Sequence, residues 1–291
     1  QKVMQATPVR TYQATLVQLD QPLNLPVQLP AGALPGRGGI QTSFAARLGG
    51  DLPGVREYMQ AYPYTCFEQS SSKAIALGDK TLWQATMAKL PAYLDADGLL
   101  KYFPSMEQGS DSLTAYILSA SAEAGYAIPQ QAKNRMEEAL TAFVQGRIVR
   151  HAALDTNDLA VRKLAALEAL SRSGKVPPDA LESISIDPKL WPTSAVIDWS
   201  LLLRRTPKLA RRDVLLAEAQ QILRGRLNFQ GTTMGFSTER KDNWWWLMVS
   251  GDVNANRLLL AMRENPAWQA DMGRLARGAL GRQNKGRWGT T

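Results

Sequence analysis

The feature that most constrains this chain is a helical period running, with few interruptions, from about Leu52 to the carboxyl end. Apolar residues recur there at spacings of three and four, the pattern of one face of an α-helix. The stretches are "SSKAIALG", "TLWQATMAKLPAYL", "SLTAYILSASAEAGY", "QAKNRMEEALTAFVQGRIV", "NDLAVRKLAALEALSRSG", "SAVIDWSLLLRR", "ARRDVLLAEAQQILRGRL", "NWWWLMVSGDVNANRLLLAMRE" and "PAWQADMGRLARGAL". Gly125, Pro129, Gly174, Pro177, Pro178, Gly231 and Pro266 divide them, as residues that end or break helices do. Small, apolar and aromatic helices begin near Asp111, Asn157, Ser194 and Asn243, about 40 to 50 residues apart, and each is followed by a more charged one. That alternation predicts a stack of helix pairs. Its simplest closed form is a mainly α fold, an α/α toroid with apolar helices inside and amphipathic ones outside. A superhelical solenoid is the open alternative.

Residues 1–50 read differently. Valine, threonine, glutamine, proline and glycine dominate, with alternation in "TYQATLVQL" and "LNLPVQLP", then "GALPGRGG" and "IQTSFAARL". These are short strands and turns. So few broken strands rarely fold alone, so they belong to a β domain completed elsewhere or pack on the helices. At the other end the chain stops at "RWGTT", where the repeat would start another inner helix. A cut within the last repeat is therefore expected.

Composition narrows the function classes. With 45% hydrophobic residues over 291 positions the chain can bury a sizeable core, and no apolar run reaches the roughly 18 residues of a membrane span. Lysine and arginine outnumber aspartate and glutamate by 34 to 26, a net charge of +8. Basic residues come in short clusters, Arg204 with Arg205 and Arg211 with Arg212, without interleaved aromatics. This reads as a solvated basic surface and not as a nucleic-acid face. One histidine, His151, and one cysteine, Cys66, exclude an internal disulfide and a histidine/cysteine zinc cage.

Cys66 opens a helical run, "AYPYTCFEQSSSKAIAL", with Gln69 three residues on. Residues three apart share a helix face, so sulfur and side-chain carbonyl can meet across one turn. Attack of the thiolate on the amide would expel ammonia and leave a thioester, an acyl group stored inside the protein. The helix N-terminus is expected to favour that thiolate.

The longer string "YPYTCFEQSSSK" resembles the thioester motif of the alpha-2-macroglobulin and complement family. Its bacterial members carry tyrosine-proline-tyrosine-glycine-cysteine-x-glutamate-glutamine, matched here by Tyr62, Pro63, Tyr64, Cys66, Glu68 and Gln69. Thr65 stands where that family has glycine, and a β-branched residue tolerates positive φ poorly. The resemblance continues through "LTAYILSASAEAGYAIP" to "GRWGTT", roughly residues 50 to 291. It implies that residues 51–291 are the thioester domain, an α/α toroid, and that residues 1–50 are strands of an incomplete CUB-like β-sandwich.

The resemblance also implies a function: a single-use covalent protease trap and not an enzyme. A protease cuts a bait region elsewhere in the protein, and the exposed Gln69 carbonyl acylates a lysine or hydroxyl of the attacker as Cys66 leaves. The implied partners are target proteases and other domains of the same chain, with no cofactor, metal, nucleic acid or direct membrane contact. The implied location is the periplasm, with the full-length protein a lipoprotein of the inner membrane. Aromatic residues shield the bond in this family, a role that falls to Tyr62, Tyr64 and Phe67 unless they simply pack at the helix start. Glu68 could orient the site or merely answer the helix dipole. Some members use a histidine as a nucleophilic relay, which would be His151; the alternative is a surface histidine near arginines.

Two other motifs have plainer readings. Trp244, Trp245 and Trp246 in "NWWWLMV" are expected to pack in the core. "DADG" at Asp95 to Gly98 faintly resembles the aspartate clusters of terpene cyclases, but reads as a turn. The competing functions are a toroid scaffold whose thioester has not formed and, less favoured, an isoprenoid-processing toroid enzyme.

Overall fold

The computed structural model describes residues 19, 21–29, 31–32, 34–36, 38–40, 42, 44, 46, 52–152, 158–184, 186–237, 244–284 and 286–289. The strand read in "TYQATLVQL" falls outside these residues apart from Leu19, whereas 21–29 are exposed and carry no strand pairing. From residue 52 the chain is helical, and local chemistry sets where each helix starts and stops. Helix α1 (Pro53–Ala61) has proline in its first turn, where a missing N–H costs nothing. Helix α2 (Phe67–Leu77) ends on Gly78 at φ 67°, a left-handed cap that glycine adopts without strain. Helix α3 (Lys80–Tyr93) starts on Asp79, whose carboxylate accepts from the Leu82 amide at 2.9 Å. Ser110 caps α4 (Asp111–Ala124) in the same way, and Pro129 leads into α5 (Gln130–Val144). The remaining helices are α6 (Leu159–Ser171), α7 (Thr193–Arg205), α8 (Arg212–Gly225), α9 (Gly251–Met262) and α10 (Gln269–Leu280).

Packing sorts these helices into two layers. α2 packs on α4, α4 on α6, α6 on α7 and α7 on α9, an inner series with buried faces all along its length. α3 lies outside α2, α5 outside α4 and α6, α8 outside α7, and α10 outside α9. This is the α/α toroid that the repeat predicts. Burial follows composition: α7 hides ten of its thirteen residues, whereas outer α8 hides only Ala219 and Leu223. The segment 286–289, where the repeat would begin another inner helix, lies against α1. The Arg287 guanidinium stacks 3.8 Å from the Tyr58 ring centre. Gly54 and Gly286 approach so closely that a Cβ on Gly54 would stand 2.6 Å from the Gly286 carbonyl oxygen. No helix among the described residues is long and apolar enough to cross a membrane.

The structure departs from the helical reading in three places. Between α6 and α7 the described residues form no outer α-helix; Pro177, Pro178, Pro188 and Pro192 leave turns and a short 3-10 segment, from which Ala180 and Trp191 plug the core. Between α8 and α9 a hairpin appears, β1 (Leu227–Gln230) with β2 (Thr233–Phe236), turning through Gly231 at φ 59°. The run "NWWWLMVSGDVNANRLLLAMRE" is not one helix: Trp245–Leu247 form a 3-10 turn, Met248 is left-handed at φ 56°, and α9 starts only when Ser250 caps it. Ser250 accepts from the Val253 amide at 3.2 Å, a stronger helix start than three consecutive bulky tryptophans.

Buried charges tie the inner helices together. The Arg162 guanidinium of α6 donates to both carboxylate oxygens of Asp111 on α4, at 3.0 and 2.6 Å, and to Asp158 at 3.4 Å. All three residues are at most 3% exposed. Asp95 accepts from the amides of Gly98, Leu99 and Gly109 and pairs with Arg150 at 2.8 Å, so "DADG" is a turn, as read. Removing one member of a buried network strands its partners' charge. Arg162→Ala is therefore expected to cost about 3–5 kcal/mol, read as a shift in urea unfolding followed by helix circular dichroism. A loss below about 1 kcal/mol would show the network to be dispensable.

Candidate functional site

Pro63 stops α1 from running on, because the residue before a proline is pushed out of helical geometry. Tyr62 is extended, at φ −67° and ψ 118°, and the chain enters α2 through Cys66 at φ −64° and ψ 169°. Cys66 is the N-cap. Its sulfur accepts from the Gln69 backbone amide at 3.5 Å, and the Gln69 side-chain oxygen accepts from the Cys66 backbone amide at 3.3 Å. This is a capping box with sulfur in the usual place of a hydroxyl. The reciprocal bonds fold both side chains back onto the first turn of α2. The Cys66 N–H already polarises the Gln69 carbonyl, and the same donor is placed to hold an oxyanion if sulfur adds to that carbon. The Gln69 amide nitrogen, the leaving group in such a step, donates to the Tyr62 hydroxyl at 3.4 Å.

The thiolate expectation fails. Burial pushes the Cys66 thiol up; the Gln69 amide pulls it back only in part, and the Glu68 carboxylate adds to the rise. The desolvation of a residue only 5% exposed outweighs the helix N-terminus. Glu68 is also raised, by burial first, with a hydrogen bond from Ser72 acting the other way. Ser72 Oγ lies 2.7 Å from Glu68 Oε1 and 2.7 Å from the Tyr116 hydroxyl. Tyr116 and Tyr102 are both pushed up to about 12, chiefly by burial.

The other residues singled out in the sequence separate. Tyr62 touches Gln69 and packs between Tyr58 at 5.5 Å and Tyr64 at 5.4 Å, but Tyr64 is 63% exposed. Phe67 is a core residue against Tyr93, its ring centre 4.9 Å away. Thr65 does not need glycine geometry: the non-glycine residues at positive φ among the described ones are Arg211 and Met248. His151 is exposed after α5 and is not among the residues lining the cavity described next. Ser72, Tyr102 and Tyr116 are not marked in the sequence, since a serine and two tyrosines have no motif; Tyr102 sits in the segment "DGLLKYFP" between α3 and α4.

Gln69 and Glu68 line a cavity of about 1130 Å³ that is bounded by the inner helices and open on one side. Trp245 and Trp246 line it too, so the tryptophan run is not simple core packing. Trp246 donates to Asp158 at 3.2 Å and stacks with Trp244, whereas Trp245 is 75% exposed. The reading of Arg204 and Arg205 as solvated surface is likewise overturned. Both line the cavity, Arg205 pairs with buried Glu168 at 2.7 Å, and Arg204 donates to the Ala261 carbonyl. Burial opposes ionisation of Glu168, but Arg172, Arg257 and Arg205 hold it below the usual carboxylate range.

No protein-family profile and no curated protein matches the chain. Solved structures do. Native alpha-2-macroglobulin from Escherichia coli, spanning domain MG7 to the C-terminus, aligns with a TM-score of 0.61 at 19% identity over 82% of this chain and 39% of that one. Salmonella alpha-2-macroglobulin reacted with methylamine gives 0.56 at 19% identity over 79% and 16%. Escherichia coli alpha-2-macroglobulin activated by porcine elastase gives 0.54 at 20% identity over 77% and 22%. At such identity the likeness is one of fold, and the chain spans less than two fifths of each of these structures.

The raised thiol is directly measurable in Gln69→Ala, which has no carboxamide to react with. Alkylation of Cys66 by iodoacetamide in that variant is expected to keep accelerating at pH values above the titration of a free cysteine. A midpoint at or below that of a free cysteine would mean that the helix terminus prevails after all.

Proposed function

We propose, from a fold shared with bacterial alpha-2-macroglobulins, that this chain is the thioester domain of such a protein and serves covalent capture of proteases. The observation that carries the reading is the reciprocal Cys66–Gln69 cap, which sets sulfur and acyl carbon on one turn with Gln69 facing an open cavity. The related Salmonella protein reacted with methylamine and the elastase-activated Escherichia coli protein are in line with an acyl group that meets amines and with proteases as triggers. In this reading sulfur adds to the Gln69 carbonyl, the oxyanion is held by the Cys66 N–H, and ammonia departs on the Tyr62 side. A lysine or hydroxyl of the captured protease later takes the acyl group, and Cys66 leaves as a thiol. The protein acts once and does not turn over. Target proteases and the other domains of the same macroglobulin are its partners, and the periplasm, with a lipoprotein anchor on the full-length protein, is its setting.

A second reading rests on the protonated thiol: a buried, raised Cys66 closes the bond slowly, and a toroid with an unformed thioester would serve as a scaffold. Intact mass with thiol titration separates the two. A mass one ammonia below the encoded value, with a thiol released only by methylamine, is the expected result. The encoded mass with a thiol titratable from the start would sink the thioester and leave the scaffold. Cys66→Ala is expected to abolish covalent capture while keeping the helix content, since the cap it removes is worth about 1 kcal/mol.

A further inference from the structure

We infer that Glu68 is the base on the acceptor side of the acyl site: it draws a primary ammonium group into the central cavity, takes its proton, and so directs the Gln69 acyl group to amines. This rests on reading Cys66 and Gln69 as a thioester. Five carboxylates line the cavity. Glu123 and Glu168 pair with Arg172, Glu168 also with Arg205, Asp198 with Arg257, and Glu264 with Arg263. Glu68 alone among them has no cation within ion-pair distance among the described residues, although it is adjacent to Gln69 on the same helix. Ser72 holds its Oε1 at 2.7 Å, and no described residue donates to Oε2. The cavity wall therefore carries an arginine for every carboxylate except the one beside the acyl group, and a positively charged guest completes the set.

The surroundings of Glu68 suit that guest. Tyr102 and Tyr116 line the same cavity near Glu68, and aromatic faces attract ammonium groups. The ionisable groups acting near Glu68 are the Cys66 thiol, Tyr102 and Tyr116, with Asp111 acting on Tyr102. Neighbouring cations are committed elsewhere. Lys73 donates to the carbonyls of Gln60 and Tyr62, Arg162 is held by Asp111 and Asp158, and no lysine or arginine of α1 or α3 pairs with Glu68 among the described residues. Burial makes the carboxylate a better base, and a base is most effective when its pKa is near the working pH.

The step balances as follows. An ammonium group R–NH3+ gives one proton to the Glu68 carboxylate, and the neutral amine attacks the Gln69 acyl carbon. A C–N bond forms and the C–S bond breaks; sulfur takes the second proton from nitrogen, leaving an amide and the Cys66 thiol. Glu68 then returns its proton to solvent. An alcohol brings no positive charge to the carboxylate, and its proton is far too weakly acidic for Glu68 to remove.

The test measures aminolysis by methylamine and transfer to glycerol as a function of pH, in the full chain and in Glu68→Gln, after intact mass has shown that the bond is closed in each. In the wild type the amine rate should plateau between the titrations of Glu68 and of the amine. In Glu68→Gln it should fall about a hundredfold at neutral pH, follow the free-amine fraction at about tenfold per pH unit, and lower the ratio of amine to glycerol transfer. Equal amine rates and an unchanged ratio would overturn the proposal while leaving the thioester standing. An open bond in the wild type would instead overturn the thioester reading itself. Should Glu68→Gln fail to close its bond, Ser72→Ala decides: loss of the hydrogen bond that lowers Glu68 should move the acid limb of the wild-type profile to higher pH, and an unmoved limb would refute the role.

Discussion

A single buried guanidinium, that of Arg162, sits where four parts of the molecule meet. It grips Asp111 at the start of α4 and Asp158 at the start of α6, and it donates to the Arg150 carbonyl after α5 at 2.7 Å. Through Asp158 it also reaches Trp246 of the tryptophan turn. Burial of Arg162 opposes its charge, yet Asp111 and Asp158 keep its pKa above the ordinary value, so the cation persists in the interior. Without that cation two carboxylates would be left buried and uncompensated where the amino-terminal ends of α4 and α6 converge. Gln69 and Arg162 line the same cavity, so the ion cluster belongs to the wall that Gln69 faces.

The sequence made the helices and the one-turn approach of Cys66 to Gln69 legible because both depend on local spacing. A period of three and four announces a helix, and Cys66 with Gln69 is a pair one turn apart. Features set by partners distant in the chain were hidden. Arg204 and Arg205 look like surface charge until α6 supplies Glu168. The tryptophan run looks like core until Ser250 delays α9 and lifts Trp245 onto the cavity rim. The hairpin had a weak local mark in Gly231, overshadowed by the helices on either side. Thiol protonation was misread for a similar reason: a helix terminus is visible in sequence, whereas the burial that outweighs it is not.

The site uses few parts for several ends. Ordinary backbone capping brings the Cys66 sulfur and the Gln69 carboxamide to the same helical turn, with nothing beyond what starts a helix. The groups around it divide by chemistry: Tyr62 sits on the amide nitrogen, the Cys66 N–H on the carbonyl oxygen, and Glu68 with Ser72 and Tyr116 on the cavity side. Phe67, between Cys66 and Gln69 in sequence, packs instead in the core against Tyr93.

The capping box also gives the two ends of the reaction unequal footing. A thioester at position 69 keeps its carbonyl oxygen but is neutral. Water in place of an amine would leave a carboxylate there, in the first turn of α2, where the partial positive charge of a helix terminus welcomes an anion. A hydrolysed helix would thus be anchored more firmly than the loaded one, whereas transfer to an amine would leave a neutral amide and no such gain. The electrostatics of one helix end would set a bond lost to water apart from a bond used.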